Sequence, residues 1–126
     1  MLEVGTEVLE AVDGAVLERL REETFDGESD LVPELIEAFL EEVPDSCKAL
    51  GVSVSAGDAA EVRRRAHHLR SSTSNLGAVG MTELCKQLEE LARTGSLTGA
   101  EELARGLATE VDRVERYFKR YLEAGS

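Results

Sequence analysis

Two adjacent histidines, the only two in the chain, are followed within four residues by an arginine and by residues that carry hydroxyl groups. His67 and His68 precede Leu69, Arg70 and Ser71. An imidazole with an ordinary pKa of about 6.5 is largely unprotonated at neutral pH and is then a nucleophile. Transfer of a phosphoryl group requires positioning, and positive charge or hydrogen-bond donors beside the phosphoryl oxygens. The segment therefore predicts chemistry on a phosphoryl group.

The spacing of the neighbouring apolar residues places both histidines outside a helical core. An α-helix advances about 100° per residue. One stripe then collects the core candidates Val62, Ala66, Leu69, Thr73 and Leu76. His67 points about 140° away from the centre of this stripe, toward solvent, and His68 lies on the other flank. The side chains within about 60° of His67 on the same wheel are Arg63, Arg64, Arg70, Ser71 and Ser74.

Glycine and proline divide the chain into pieces of helical length. Four of the predicted helices are Gly14 to about Thr24, Asp58 to about Leu76, Met81 to Thr94, and Leu97 or Thr98 to about Ala124. Between the first two of these, another helix is capped by Ser29 or Asp30, is kinked or interrupted at Pro44, and ends at about Ser55. The abundance of Leu, Ala, Glu and Arg favours helices, and no run of alternating β-branched residues favours a sheet.

Each predicted helix outside the histidine segment also carries an apolar face. The inward residues are Val16, Leu17 and Leu20, then Leu35, Ile36, Phe39, Leu40 and Val43, then Leu84, Cys85, Leu88 and Leu91, and finally Leu103, Leu107, Val111, Val114, Phe118 and Tyr121. Short connections favour antiparallel neighbours. We therefore predict an all-α fold, an antiparallel up-down four-helix bundle with an additional short N-terminal helix. Residues 14–124 form the bundle, and residues 1–13 are an extension, loosely ordered or a short helix.

Charge and composition narrow the possible partners. The formal net charge of −12 disfavours binding to nucleic acid, whose phosphates would be repelled. Four arginines between Glu61 and Arg70 nevertheless make a local positive region beside the histidines. No apolar run approaches the roughly 18 residues of a membrane span, and no signal peptide is recognisable, so we expect a cytoplasmic protein without membrane contact. Cys47 and Cys85 are expected to be buried thiols.

Several sequence motifs together resemble the histidine-containing phosphotransfer (HPt) domains of phosphorelays. The segment from Ala66 to Ala78 reads AHxLRxSxxNLGA, and the segment from Leu84 to Arg93 reads LCxxLExLAR. Upstream, residues 35–40 read LIxxFL, and Ala56–Asp58 with Val62 also fit. The resemblance extends from Gly14 to Tyr121, nearly the whole chain.

The resemblance implies a monomeric helical bundle whose exposed histidine accepts a phosphoryl group from a receiver-domain aspartate and relays it to another receiver. The position of the phosphoacceptor matches His67, and that of the family's basic residue matches Arg70. Ser71 stands where the family usually has glycine, so its hydroxymethyl group either helps to bind phosphate or crowds the site. The side chains expected to contact a partner are Arg63, Arg64, His68 and Ser74.

The same resemblance sets expectations for cofactors and partners. The partners are response-regulator receiver domains, a hybrid histidine kinase, or both. The Mg²⁺ of the reaction belongs to the receiver, and we expect no metal or other cofactor on this chain, since two adjacent histidines without nearby carboxylates on one helical face make a poor ligand set. The protein is then a phosphocarrier, modified and restored within one relay, rather than a turnover enzyme.

Two other functions remain open at this point. The run His67–Ser71 also resembles the phosphoacceptor box of a histidine-kinase dimerisation module, although no proline follows it and no glycine-rich ATP-binding segment is present. A non-catalytic adaptor that binds a receiver without transfer is supported only by Ser71. Glu89 and Arg93, spaced i,i+4, are expected to be a surface ion pair of small energetic value; the alternative is that they border the partner site.

Overall fold

The computed structural model describes residues 11–25, 27 and 29–125. In these residues the chain forms five α-helices and no strand. The helices are α1 (Gly14–Thr24), α2 (Val32–Ser55), α3 (Ala59–Asn75), α4 (Val79–Arg93) and α5 (Ala100–Ala124). The predicted all-α fold, with four long helices and a short one before them, is confirmed.

The four long helices close on themselves around one core. Helix α3 packs against α2 and α4, α5 packs against the same two helices, and α1 lies against α2. The largest fully buried side chains include Leu17, Ile36, Leu69, Leu88 and Phe118, which come from all five helices. Burying one such side chain contributes roughly 1.5–3 kcal/mol. One chain therefore supplies every helix that the bundle needs to bury its apolar faces.

Helix α3 begins and ends at well-defined signals. The carboxylate of Asp58 accepts the backbone N–H of Glu61 at 3.1 Å and caps its first turn. After its last residue, Gly77 adopts a left-handed φ of 76°. The N–H of Asp13 donates to the Gly77 carbonyl at 2.8 Å, and a Cβ on Gly77 would lie 2.9 Å from both the Asp13 oxygen and the Cβ of Val16. Only glycine fits this turn without strain.

Three details of the bundle differ from the sequence prediction. Pro44 lies inside an unbroken α2. Of the two predicted outcomes, a kink or an interruption, the interruption is therefore wrong. Buried residues on both sides of Pro44, such as Val43 and Leu50, hold the helix together although proline removes one hydrogen bond. Leu35, predicted to face inward, is 41% exposed. The predicted caps Ser29 and Asp30 precede the helix, and the Asp30 carboxylate accepts the N–H of Val32 at 3.1 Å.

The predicted starts of the last two helices are each displaced by two or three residues. Helix α4 begins at Val79 rather than Met81, and α5 begins at Ala100 rather than at Leu97 or Thr98. In the second case, the Ser96 hydroxyl accepts the N–H of Thr98 at 3.3 Å. Such side-chain bonds favour a turn over a helix, and they delay the start of α5.

The predicted N-terminal extension falls mostly outside the described residues. Residues 1–10 are not among them, so a loosely ordered segment or short helix there stays a prediction. Ala11 and Val12, by contrast, are buried in the core. The apolar packing of the bundle therefore starts before the predicted boundary at Gly14.

Candidate functional site

The core stripe of α3 sets the direction in which His67 points. The residues Val62, Ala66, Leu69, Thr73 and Leu76 are all buried, as predicted. The Thr73 hydroxyl lies 2.8 Å from that of Thr82 and joins α3 to α4 inside the bundle. His67 emerges between these buried positions, and its side chain is 60% exposed. A rigid, packed helix thus presents an imidazole to solvent.

A carboxylate on the neighbouring helix binds one nitrogen of this imidazole. Glu89, on α4, places Oε2 at 2.8 Å from Nδ1 of His67. An ionised carboxylate only accepts hydrogen bonds, so Nδ1 carries the proton and donates it. In the neutral ring, the other nitrogen, Nε2, then holds the free electron pair. The contact selects the tautomer in which Nε2 is the nucleophilic atom.

The same carboxylate also faces a cation. The Nε atom of Arg70 lies 3.3 Å from Oε1 of Glu89, whose side chain is only 18% exposed. Oε1 is buried and accepts no hydrogen bond of good geometry. Its contact with Arg70 is therefore an ion pair without a hydrogen bond. His67, Arg70 and Glu89 form one cluster that spans α3 and α4, with the acid partly covered and the imidazole open.

The expected ion pair between Glu89 and Arg93 does not form. Arg93 instead pairs with Glu90, three residues before it, and this hydrogen bond lowers the pKa of Glu90. Glu89 instead lies beside His67 and Arg70, in agreement with the alternative prediction that it borders the partner site. The sequence does contain a signal for the contact between His67 and Glu89. The two residues lie 22 positions apart, at equal distances from Ala78 in the turn. Antiparallel helices joined by a short turn bring such positions opposite each other.

Of the other predicted site residues, Arg63 and Arg64 are brought together with His67, and His68 and Ser74 are not. Arg63 and Arg64 line a groove of about 690 Å³ that also contains His67. Arg64 hydrogen-bonds Glu61, which lowers the pKa of that carboxyl. Ser71 is exposed one turn beyond His67.

His68 and Ser74 have different surroundings. The His68 ring is exposed and makes no hydrogen bond or ion pair with any part of the chain that the structure describes. Ser74 lines a second groove, of about 520 Å³, on the far half of α3 against α1 and α2. We call this second groove the apolar groove; its apolar lining includes Val16, Leu20, Leu35, Ala38, Phe39, Val43 and Leu76.

The groove that contains His67 runs between α3 and α4 and is called here the basic groove. Its lining residues are Ala59, Ala60, Arg63, Arg64, His67, Glu89, Ala92, Arg93 and Gly95. It holds no evident metal site, since no cluster of three or more His, Cys, Asp or Glu side chains forms within the described ranges. The described helices include none apolar enough over its length to traverse a lipid bilayer.

The comparison with known families decides what kind of domain carries this site. A family model described as "Hpt domain" matches residues 34–117, which include the whole cluster around His67. The chain belongs to the Hpt family. It is a histidine phosphotransfer protein of a phosphorelay, and Hpt domains of such relays interact with receiver domains or histidine kinases.

A solved structure is similar over nearly the whole Hpt chain. The crystal structure of histidine-containing phosphotransfer protein B (HptB) from Pseudomonas aeruginosa PAO1 superimposes with a TM-score of 0.83 at 32% sequence identity. The match covers 92% of this chain and 97% of that chain. No curated protein matches the sequence. The structural similarity to HptB thus extends beyond residues 34–117, which the family model matches, and includes the bundle as a whole.

Proposed function

We propose that His67 is the phosphoacceptor of this Hpt domain and that Nε2 is the reacting atom. Nε2 attacks the phosphorus of a receiver's aspartyl phosphate, the N–P bond forms as the P–O bond to the aspartate breaks, and the aspartate leaves as a carboxylate. The reverse step delivers the phosphoryl group to a second receiver. The observation that supports this most is the 2.8 Å contact between Nδ1 and Glu89, because it leaves Nε2 unprotonated on an exposed ring.

Glu89 has a further role in the proposed step. Attack by a neutral imidazole leaves a positive charge on the phosphorylated ring, because Nδ1 keeps its proton. The carboxylate already in contact with that proton offsets the charge and holds the ring in one orientation. Glu89 is thus a positioning residue that also stabilises the modified form.

Arg70 and Ser71 supply the contacts to the phosphoryl oxygens in this proposal. The side chain of Arg70 is 37% exposed and its guanidinium lies against Glu89 beside the ring, so it can reach an oxygen on phosphorus as a charged donor. The exposed hydroxyl of Ser71, four residues after His67, adds a neutral donor on the same face. Of the two roles expected for the hydroxymethyl group of Ser71, we therefore favour binding of the phosphoryl group over crowding of the site.

The partner we propose is a receiver domain that covers the exposed face of α3. It brings the Mg²⁺ and the aspartate, and this chain holds neither a metal nor another cofactor. The half-exposed Leu35 and its neighbours in the apolar groove add buried area when the receiver docks. The chain acts as a monomeric phosphocarrier in the cytoplasm, and the bundle closed by one chain supports this over a kinase module that must dimerise.

Transfer from a labelled receiver tests the assignment. The full chain, its His67→Gln variant and its His68→Gln variant are each mixed with a phosphorylated receiver domain. We expect acid-labile label on the wild type and on His68→Gln, and none on His67→Gln. Label lost only in His68→Gln would overturn the assignment, and tight binding without transfer by the wild type would favour the adaptor. A stable dimer in size-exclusion chromatography would favour the kinase module.

A further inference from the structure

A pair of hydroxyl groups joins α3 to α4 inside the bundle, and the proposed transfer step does not use it. Thr73 is fully buried, and its Oγ1 lies 2.8 Å from Oγ1 of Thr82 on α4. Among the described residues, the other buried polar residue is Ser53, whose hydroxyl donates to a carbonyl of its own helix at 3.2 Å. The contact of Thr73 differs from that of Ser53 because it reaches a second helix.

The two hydroxyls belong to a chain of hydrogen bonds. Oγ1 of Thr73 lies 2.9 Å from the Leu69 carbonyl, and Oγ1 of Thr82 lies 3.0 Å from the Ala78 carbonyl. Each hydroxyl has one proton to donate. If each donated only within its own helix, two oxygens would face each other at 2.8 Å without a proton between them. One of the two protons therefore lies between the hydroxyls and makes a hydrogen bond from helix to helix.

This hydrogen bond lies in the same helix-to-helix register as the contact between His67 and Glu89. The threonine pair and the histidine–glutamate pair are centred on nearly the same point of the turn that joins the two helices. Because an α-helix rises about 1.5 Å per residue, the two pairs lie only about 10 Å apart along the helices. A helix is stiff over this length, so a rotation of α3 at Thr73 is also a rotation at His67.

A small rotation of α3 would be enough to separate Nδ1 of His67 from Glu89. A side-chain atom at the helix surface lies about 6 Å from the axis, so a turn of about 10° moves it by about 1 Å. The present contact of 2.8 Å would then exceed the roughly 3.2 Å limit of an N–H···O hydrogen bond. Apolar packing is non-directional and tolerates such a rotation, whereas the bond between the threonines requires one geometry.

We infer that Thr73 and Thr82 are positioning residues for the phosphoacceptor: their hydrogen bond fixes the rotation of α3 against α4 and so keeps Nδ1 of His67 on Glu89. Neither threonine contacts the reacting atoms. They act through the orientation and the tautomer of the ring, and fixing the register of packed helices is the best-attested role of buried polar groups. This role rests on the proposed function, because a fixed ring matters for transfer only if His67 carries the phosphoryl group.

The test compares variants that lose one hydroxyl but keep nearly the same volume. Thr73→Val and Thr82→Val each remove the bond between the helices, and the conservative Thr73→Ser keeps the hydroxyl. The control is Ser53→Ala, which removes a buried hydroxyl that is bonded within one helix. Circular dichroism verifies the fold. Thr82→Val, at a partly buried position, carries the test if Thr73→Val does not fold.

¹⁵N NMR of the histidine rings measures the tautomers without any receiver, at about pH 8, where an ordinary imidazole is neutral. We expect wild-type His67 to hold its proton on Nδ1, and His68 to show the mixture of a free imidazole. In both valine variants the His67 signals should move toward that mixture. Thr73→Ser and Ser53→Ala should keep the wild-type pattern, because a loss of stability alone does not change the tautomer in the folded protein.

Phosphotransfer from a labelled receiver domain is the second measurement. We expect the rate at saturating receiver to fall by about threefold to tenfold in the valine variants, since displacement of a reacting group by about 1 Å is costly. The receiver concentration at half-maximal rate should not change, because the docking surface is intact. The double variant should be no slower than the slower single variant, since both changes break the same bond.

A wild-type tautomer pattern in folded Thr82→Val would overturn the inference, and so would an equal change in Ser53→Ala. An altered tautomer with an unchanged rate at saturating receiver would also overturn it. Failure of wild-type His67 to take the label would instead remove the proposed function and leave the NMR result in place, so the two failures are distinguishable.

Discussion

His67 and His68 are neighbours on one helix, yet the bundle treats them differently. The ring of His67 is bound through Nδ1 by Glu89 of α4, with Arg70 on the other carboxylate oxygen. The ring of His68 is also exposed but receives no such contact from the described chain. His68 lies only one residue further along α3, yet among the described residues none on the opposing helix α4 contacts its ring.

In the proposed function, this difference explains why one surface histidine reacts and its neighbour does not. An imidazole free in water exchanges its two tautomers and turns about its side-chain bonds, so neither nitrogen is kept ready for attack. A carboxylate supplied from a second helix fixes both the proton and the ring. The variants below are ordered by the size of the change that we expect, and each weakens or tests one element of this difference.

Removal of the carboxylate should make His67 resemble His68. We expect Glu89→Ala to slow phosphotransfer to His67 by about tenfold to a hundredfold, by analogy with carboxylates that orient metal-binding imidazoles. Glu89→Gln should retain much of the rate, because its amide oxygen still accepts the Nδ1 proton. Rapid-quench measurement of labelled protein gives the rates.

The adjacent Glu90, which pairs with Arg93, provides the matched control for this experiment. Glu90→Ala should transfer at nearly the wild-type rate. An equal loss in Glu89→Ala and Glu90→Ala would mean that general surface charge, rather than contact with the ring, distinguishes the two histidines.

A change in the α3–α4 turn should alter stability without altering which histidine reacts. Gly77→Ala forces a side chain into a left-handed conformation and against Asp13 and Val16, so we expect a loss of about 2 kcal/mol in the free energy of unfolding. Gly95→Ala, also at a positive φ but with open space around it, should lose about 1 kcal/mol. Urea denaturation measures both. Label that moves to His68 in the folded Gly77→Ala protein would contradict a local origin of the difference.

Loss of the cation beside His67 should have a smaller effect on the rate. We expect Arg70→Ala to slow transfer by about tenfold, since a charged hydrogen bond to the phosphoryl group disappears. Arg70→Lys should fall between this variant and wild type, because it keeps the charge and loses the planar donors. Arg65→Ala, which removes a cation paired with Glu61 instead, is the control, and its rate should stay within a factor of about two of wild type.

The buried thiol of Cys85 tests whether α4 stays in place behind His67 during the reaction. Cys85, one turn before Glu89, is buried, and burial raises the pKa of its thiol from 9.0 to about 12. In a Cys47→Ala background, alkylation by iodoacetamide near pH 8 should therefore be slow, and equally slow with and without the phosphoryl group. Faster alkylation of the phosphorylated protein would show that α4 moves and that the difference between the histidines is not fixed.

The sign of the same pKa shift gives a pH dependence. A raised pKa means that the folded state favours the neutral thiol. The contribution of Cys85 to stability is therefore complete below pH 9.0 and declines as the pH rises toward about 12. The free energy of unfolding of wild type should fall more steeply over this range than that of Cys85→Ala, and chemical denaturation at several pH values measures the difference.

Much of the fold could be predicted because the apolar spacing of each helix is regular. The stripe from Val62 to Leu76 was placed correctly on α3, and the cap at Asp58 and the turn at Gly77 follow from side-chain and backbone chemistry. The interruption expected at Pro44 was wrong, because local rules give the cost of a proline but not the packing on either side that offsets it. Leu35 was misplaced for a related reason: an apolar residue at the edge of a stripe is buried only if a neighbouring helix covers it.

The site could be predicted only in part, because half of it comes from another helix. His67, Arg70, Arg63 and Arg64 share one helical face, and spacing along a helix reveals such a set. Glu89 lies 22 residues from His67 in the sequence, and Arg93 stands four residues after it on its own helix. The rule that i,i+4 charges pair on a helix therefore gave the wrong partner. The register of two antiparallel helices would have corrected it.

In the proposed function, Nε2 of His67 is the one reacting atom, and this limits how the two halves of a relay can meet. Donor and acceptor aspartates must approach the same atom, so no complex can hold both in reacting position. Exchange then follows ping-pong kinetics, and an excess of the unmodified downstream receiver competes with the upstream one for the free carrier. The flow of signal through the pathway therefore depends on the abundance of the three proteins relative to one another as well as on their affinities.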